Sequence, residues 1–288
     1  MTGTTAIDAR WSAILAGLSR GWIETRQSFT ETANIIGHVF FPVMSVVSLV
    51  MVRGKTVPGT EFSLAAMVLP GLVGFLIVFG GISGPTASIT ADREDGTLLR
   101  AKATPNGMLG YLVGKIVMFA LTTLLSLLVI IVAGIMLVNN PVLDARAWLL
   151  LALIFVVGMV STVPIGVALG SLMKSSMQAM LVPLACALVM LASGIFYPIT
   201  RLPLWLQWLA QVFPFYWVGL GARYAMLPAE MVAVEIGKSW RTGETFAVLG
   251  VWSAIGLLLA PILLRRMARR QSGSAVTRVR ERIMSKGY

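Results

Sequence analysis

Residues 89–105, ITADREDGTLLRAKATP, decide the fold, because they place a densely charged island between two long apolar runs. Charged residues make up 12% of the chain, yet six fall within this one short stretch. They are Asp92, Arg93, Glu94, Asp95, Arg100 and Lys102. Such a segment cannot lie in hydrocarbon, where charges are costly. We therefore predict a connection on one side of a membrane, and a candidate docking surface.

The apolar runs around this island indicate a membrane protein with several spans. Hydrophobic residues make up 57% of the 288 residues, and the mean hydropathy is +0.85. Because a helix needs roughly 20 apolar residues to cross a bilayer, the sequence predicts an all-α polytopic membrane protein with six transmembrane helices. The predicted spans are about 35–52, 64–83, 109–138, 148–173, 178–197 and 246–264. The third is longer than needed and is expected to tilt or to begin outside the bilayer.

Three regions follow from these spans. Residues 1–34 form an N-terminal segment, residues 35–264 the transmembrane domain, and residues 265–288 a basic tail. The N-terminal segment is mixed rather than apolar, so we expect no cleavable signal peptide. Trp11, Ile14, Leu18 and Trp22 recur near helical spacing, which predicts an amphipathic interfacial helix over 11–30. An ordinary helix packed on the base of the bundle fits the same pattern.

The distribution of basic residues predicts the orientation. Sixteen of the 23 Lys and Arg residues fall on the side that holds the N-terminus, the 89–105 island and the tail, and seven fall on the other. By the positive-inside rule, both termini are expected in the cytoplasm. We expect the basic tail to contact anionic lipid headgroups rather than nucleic acid.

An unusual stretch with prolines and aromatic residues follows the fifth predicted span. Between Pro203 and Pro214 lies a piece far too short to cross the membrane. We predict a short re-entrant or interfacial helical segment here, with a candidate extracellular gate for a lipophilic substrate. The alternative is an ordinary aromatic belt. The candidate gate residues are Phe196, Tyr197, Pro198, Pro203, Trp205, Trp208, Phe213 and Pro214.

Several chemistries are disfavoured. The span interiors carry few ionisable groups, so coupling to protons or ions is not expected within the chain. The segments 54–56 and 237–239 match the end of a phosphate-binding loop, but Leu49 and Val232 stand where its first glycine is required. The lone Cys186 excludes a disulfide within one chain. We predict no catalytic residue, no metal site and no cofactor in this chain.

A membrane enzyme is the competing class. Asp95–Arg100 resembles the opening of the CDP-alcohol phosphotransferase motif. That motif requires alanine where Leu99 stands, together with further aspartates downstream. Residues 101–143 contain no Asp or Glu, so a metal site with several oxygen ligands is poorly supplied.

The order of the motifs resembles the ABC-2 family of ABC exporter permeases. The island carries Arg93-Glu94, then Gly96-Thr97-Leu98, then Thr104-Pro105 ahead of the third span. The second similar region runs from Ser193 to Pro198, through Leu202-Pro203, to Phe213-Pro214 and Arg223-Tyr224. The resemblance covers nearly the whole chain. Within the family, the chain looks closest to daunorubicin-resistance-type drug and lipid exporters.

The resemblance implies a permease that dimerises with an identical or related copy and docks two cytoplasmic ATPase subunits, which bind ATP and Mg. The island would be the coupling helix. Its candidate docking residues are Asp92, Arg93, Glu94, Asp95, Gly96, Thr97, Leu98, Leu99 and Arg100. Gly96 would give a turn and Thr97 a helix cap, while Leu98 and Leu99 would fill an apolar cleft on the motor.

The same resemblance implies a location and a substrate class. The location would be a bacterial inner membrane. The substrate would be a lipophilic or amphiphilic drug or lipid that leaves the cytoplasm or the inner leaflet. The alternative within the family is export of a polysaccharide or glycolipid. A structural or assembly protein without a transport role is a third possibility, and an ATP-hydrolysing subunit that co-purifies would distinguish it.

Overall fold

The computed structural model describes residues 2–56, 63–104, 106–138 and 144–285, and the side chains of these residues except 2–10, 32–34 and 270–285. Pro105 of the predicted Thr-Pro motif and the last three residues of the tail lie outside it. In the part described, one isolated bridge between Thr56 and Ser63 is the only extended pairing. The helices are α1 (Thr2–Ser28), α2 (Thr32–Val52), α3 (Leu64–Glu94), α4 (Thr97–Lys102), α5 (Gly107–Leu137), α6 (Ala145–Leu172), α7 (Ser176–Ala179), α8 (Leu181–Ala192), α9 (Leu204–Val212), α10 (Pro214–Met226) and α11 (Thr242–Ser285). The all-α polytopic fold is confirmed.

The fifth predicted span differs from the structure. Among the described residues, α2, α3, α5, α6 and α11 are long and apolar enough to cross a membrane. The span predicted at 178–197 is instead the shorter pair α7 and α8, within Ser176–Ala192. Pro183 cannot bond to the carbonyl of Ala179, the residue at which α7 ends. Gly194, with φ of 68°, follows the C-cap of α8 and ends that helix early.

The segment from Met173 to Ile195, which contains α7 and α8, nevertheless runs along most of the central helix α3. At one end, Arg93 Nη1 donates to the carbonyl oxygen of Met173 at 2.6 Å. At the other, a Cβ on Gly71 would lie 2.8 Å from the carbonyl oxygen of Ile195. Gly71 and Arg93 are about 33 Å apart along α3, and the hydrocarbon core is about 30 Å thick. The chain therefore passes along the bundle six times, the sixth pass being α11.

The charged island is more helical than a simple loop. α3 continues past its predicted end at residue 83 to Glu94, and α4 follows after two residues. The helix can continue because Asp92 and Arg93 find partners within the protein. α11 likewise runs well beyond the predicted 246–264 and contacts α4, and its buried residues Leu264 and Met267 belong to the same apolar cluster as Leu98 of α4. We call this the α4 end of the bundle.

The N-terminal helix α1 packs along the first turns of α5. A Cβ on Gly17 would lie 2.6 Å from the carbonyl oxygen of Gly110, and one on Gly21 would lie 2.7 Å from that of Gly114. Small residues four apart on both helices thus allow the backbones to approach closely. Trp11 and Trp22, on the apolar face predicted to be interfacial, stay exposed. α1 therefore packs on the base of the bundle by its small residues and presents its aromatic face outward.

The segment between α8 and α11 folds into the bundle as a hairpin of α9 and α10, at the end opposite to α4. The indole of Trp252 donates to the carbonyl oxygen of Val212 at 2.8 Å, so the turn of the hairpin lies about 15 Å along α11 from its start at Thr242. α10 returns toward the start of α6, where Arg146 bonds to the Tyr224 hydroxyl. α10 is buried against α3 and α6. We call this the hairpin end.

Candidate functional site

The connection between α3 and α5 is organised around α4. Gly96 has a φ of 81°, a left-handed conformation that glycine adopts without strain, and it turns the chain directly after α3. The Asp95 carboxylate then accepts a hydrogen bond from the Thr97 backbone N–H at 2.9 Å. This hydrogen bond lowers the pKa of Asp95 below its ordinary value. Gly96 is the N-cap of α4 and Thr97 is its first residue, so Thr97 does not supply the cap that the sequence predicted, and the Asp95 carboxylate instead accepts from the first backbone N–H of the helix.

α4 is packed against three of the long helices. Leu98 is fully buried and belongs to the same apolar cluster as Leu264 and Met267 of α11. α4 also contacts α3 and α5. The sequence suggested that Leu98 and Leu99 fill an apolar cleft on a partner. Leu98 is buried within the protein and is not available for that role, and Leu99 is half-buried. Movement of α4 would be transmitted directly to α3, α5 and α11.

The side chains that α4 and its approach leave exposed form a charged surface. Glu94, Asp95, Arg100 and Lys102 are exposed, and we call them the α4 surface. Of the predicted docking residues, Gly96 and Thr97 lie half-buried beside it. Three of the nine predicted docking residues, Glu94, Asp95 and Arg100, are therefore exposed, and Lys102 joins them on this surface.

Arg93 and Glu94 connect the end of α3 to the start of α7. The Arg93 guanidinium donates to the carbonyl oxygens of Met173 and Lys174. The Glu94 carboxylate accepts from the backbone N–H of Ser176 at 3.2 Å. These bonds fix the loop after α6 to the same end of the bundle, so α4 lies next to a second connection.

Asp92 faces inward and joins a cluster of charges that we call the Lys115 cluster: Arg20, Glu24, Asp92, Tyr111 and Lys115. Lys115 Nζ lies 2.8 Å from Asp92 Oδ2 and 3.0 Å from Glu24 Oε2. The Tyr111 hydroxyl donates to Asp92 at 2.5 Å, and Arg20 Nε lies 2.6 Å from Glu24 Oε1. The cluster thus ties α1, α3 and α5 together, and Asp92 is turned away from any docking partner.

The electrostatics of this cluster favour the ionised form of Glu24. Burial raises the pKa of Glu24, but Lys115 and Arg20 outweigh burial and hold that pKa below its ordinary value. Sequence reasoning missed Lys115 and Glu24 as partners. Lys115 was counted only as a basic residue beside the island, and Glu24 lies on a helix far away in the chain. The spacing of residues within a short stretch of sequence does not indicate the ion pair between Glu24 and Lys115, because that pair forms only when α1 packs on α5.

A cavity of about 700 Å³ opens beside the Lys115 cluster, between α1, α2, α3 and α5. Glu24, Asp92 and Lys115 lie on its wall at the α4 end. Phe41 and Phe79 line it farther along the bundle. The cavity therefore combines charged and aromatic walls within a single chain.

At the hairpin end, a second buried ion pair holds α10 in place. Arg223 Nε lies 2.7 Å from Glu235 Oε1, and both side chains are almost completely buried. Arg223 Nη1 also donates to the carbonyl oxygens of Gly194 and Ile195, at 3.1 and 3.2 Å. Arg223 therefore joins the end of α8 to α10 and to the segment before α11.

The predicted gate residues separate onto different faces. Phe196 packs against Phe75 of α3 with ring centroids 5.8 Å apart, and Phe213 stacks on Trp252 at 6.1 Å. Pro198 and Pro214 are buried, while Pro203 is exposed. Trp205 and Trp208 are among the most exposed side chains of the protein. Tyr197 donates from its hydroxyl to the carbonyl oxygen of Leu191. The hairpin thus has an inner aromatic contact and an outer tryptophan face rather than one gate surface.

Comparison with known families completes the description of these sites. A family model described as ABC-2 type transporter matches residues 13–227. The chain belongs to the ABC-2 type transporter family. The matched region runs from α1 to the end of α10 and includes α4, the Lys115 cluster and the hairpin. None of the curated proteins compared with the chain matches it significantly.

Membership of the ABC-2 type transporter family gives the chain its general role. It is a multi-pass membrane component of an ABC transporter. Proteins of this kind work with an ABC ATPase subunit, and they typically have no ATPase site of their own. The family resemblance carried by the two motif regions is thereby confirmed.

Proposed function

We propose that the chain is the permease subunit of an ATP-driven exporter, and that its ABC ATPase docks on the α4 surface. The position of α4 is the observation that carries this proposal. α4 has a buried side that contacts α3, α5 and α11, and its exposed Arg100 and Lys102 form a surface of mixed charge with Glu94 and Asp95 just before the helix. A partner that binds and moves such a helix can shift three long helices together.

The state of the buried charges supports an external energy source. Lys115 is paired with Glu24 and Asp92, and Arg223 is paired with Glu235. A carrier driven by protons or ions needs membrane groups that change their charge during transport. Paired charges with close partners are poor candidates for that role, which favours a separate nucleotide-hydrolysing subunit.

The proposed cargo is a lipophilic or amphiphilic molecule, a drug or a lipid, as in daunorubicin-resistance-type exporters. It would leave the cytoplasm or the inner leaflet. Two features support this class: the exposed tryptophan face of α9, and the cavity with charged and aromatic walls. A molecule with an apolar body matches both surfaces.

The proposed assembly has two permease copies, identical or related, and two ATPase subunits that bind ATP and Mg. We place it in a bacterial inner membrane with both termini in the cytoplasm. The excess of basic residues at the α4 end supports this orientation. The α4 surface then faces the compartment that contains ATP.

Site-specific photo-crosslinking tests the docking surface. A photo-reactive amino acid at position 100, on the exposed side of α4, is expected to give a covalent adduct with the ATPase subunit in membranes. The matched control is position 230, which is exposed at the hairpin end. Adducts from position 230 and none from position 100 would contradict the proposal.

A charge reversal gives the functional counterpart. Arg100→Glu is expected to lower substrate-stimulated ATP hydrolysis by about tenfold, because like charges placed across an interface repel. Lys55→Glu, an exposed change at the opposite end, serves as the control and is expected to keep full stimulation. Equal activity of both variants would argue against docking at α4.

A further inference from the structure

The outward face of α11 changes from apolar to basic as the helix approaches the α4 end. Four exposed apolar residues follow one another at intervals of four, three and four residues, which keeps them on one side of the helix. Three exposed arginines continue the same side over the next two turns. We call the first set the α11 stripe (Val251, Ile255, Leu258 and Ile262) and the second set the arginine patch (Arg265, Arg266 and Arg269).

The α11 stripe has the length of one leaflet of a bilayer. α11 is among the helices that are long and apolar enough to cross a membrane. From Val251 to Ile262 the helix rises by about 16 Å, and half of the hydrocarbon core is about 15 Å thick. The arginine patch comes directly after the stripe, so it lies at the depth where lipid headgroups begin.

The opposite side of α11 is fixed to the protein. Ala260, Leu264 and Ala268 are fully buried, and Leu264 belongs to the same apolar cluster as Leu98 of α4. The arginine patch therefore points away from the bundle. Within the described part of the chain, none of its three arginines makes a hydrogen bond or an ion pair.

An arginine guanidinium keeps its charge at any pH at which the protein is folded, and its planar fork of N–H donors matches the oxygens of a phosphate group. Three such groups without a protein partner, at the edge of an exposed apolar surface, fit a ligand that is anionic at one end and apolar at the other. A soluble acidic partner could reach the arginines but would leave the α11 stripe uncovered.

We propose that this face of α11 binds an anionic phospholipid of the leaflet at the α4 end, with its phosphate on the arginine patch and an acyl chain along the α11 stripe. The lipid then lies on the outer side of the helix that packs against α4. The binding requires neither ATP nor the ATPase subunit.

Photo-crosslinking to lipid tests the site. The full chain, with a photo-reactive amino acid at position 262, is placed in nanodiscs with equal amounts of phosphatidylglycerol and phosphatidylcholine that carry the same acyl chains. Mass spectrometry of the adducts is expected to show about tenfold or more phosphatidylglycerol over phosphatidylcholine. Position 132, exposed on α5, is the matched control and should give similar amounts of the two lipids. Equal amounts at position 262, or adducts there with a second copy of the chain instead of lipid, would overturn the proposal.

Charge variants of the chain labelled at position 262 locate the headgroup. Arg266→Gln should lower the ratio of the two lipids about fivefold, the contribution of one basic residue at an anionic surface. Lys174→Gln removes an exposed charge at the same end but outside the arginine patch, so it should leave the ratio unchanged. Replacing all three arginines with Gln should bring the ratio close to that at position 132. Equal ratios in Arg266→Gln and Lys174→Gln would overturn the assignment even if the triple variant folded poorly.

The result is separable from the export function. If the chain moves cargo with its ATPase but shows no preference for phosphatidylglycerol at α11, only the lipid assignment fails. If the lipid binds there and no ATPase drives transport, the lipid assignment stands and the exporter proposal fails.

Discussion

Replacing Lys115 with Met is expected to destabilise the protein by about 3 kcal/mol. Removing one partner of a buried ion pair costs about 3–5 kcal/mol, because the remaining charge is left uncompensated. The side chain of Lys115 is 4% exposed, and those of Glu24 and Asp92 are 17% and 16% exposed. Each carboxylate keeps another partner, Arg20 or Tyr111, which places the expected cost at the lower end of that range.

Unfolding of the purified protein in detergent micelles measures this cost. The control Lys174→Met removes an exposed amine at the same end of the bundle, and its effect should stay within about 0.5 kcal/mol. Adding Asp92→Asn to Lys115→Met should restore about 1–2 kcal/mol of the free energy of unfolding, since the carboxylate that lost its cation is then neutral. If Lys115→Met were as stable as its control, or if the two changes destabilised additively, the charge pairing described here would be refuted.

Three further predictions concern other contacts. Gly17→Leu should destabilise the protein by about 1–3 kcal/mol in detergent unfolding, because its Cβ would lie 2.6 Å from a carbonyl oxygen of α5. Gly250→Leu, where a Cβ has nothing within 4 Å, should be close to neutral. Arg223→Met should lower the free energy of unfolding by about 3–5 kcal/mol, because Glu235 would keep a buried charge without its partner. The double variant Arg223→Met with Glu235→Gln should lose less stability than Arg223→Met alone. A double variant that is less stable than the single one would contradict the pairing. Because the folded pKa of Glu24 lies below its ordinary 4.5, its contribution should be complete above that pH and lost as the pH falls through the folded pKa. A melting temperature that falls as steeply in Glu24→Gln as in the unaltered protein would contradict this.

The sequence predicted the passes that depend on uninterrupted apolar runs. α2, α5 and α6 lie close to their predicted bounds, and Pro42 and Pro164 lie inside α2 and α6 without ending those helices. The pass at α7 and α8 was predicted too long. There, Pro183 and Gly194 act on the backbone within an otherwise apolar stretch, and hydropathy does not register a proline or a left-handed turn.

For the candidate sites, the sequence predicted which residues are charged but not which way they face. The charged residues of the island at 89–105 were evident from the sequence, but the sequence did not show which of their side chains point into the protein. Asp92 turns inward to Lys115, and Leu98 turns into the apolar cluster, because α1 packs on α5 and α11 packs on α4 from distant parts of the chain. The buried pairing of Arg223 left no sign in the sequence for the same reason, since its partner Glu235 lies in the segment that folds back after α10. Contacts of this kind depend on the tertiary arrangement and leave no local pattern.

Transport by the reconstituted complex tests the central claim most directly. The chain is placed in proteoliposomes with and without its ABC ATPase subunit, and the uptake of a fluorescent amphiphile into vesicles with the α4 end outward is followed. We predict uptake only when the ATPase subunit and hydrolysable ATP are both present, and its loss in Arg100→Glu. Equal uptake by the chain alone, without the ATPase subunit, would contradict the account.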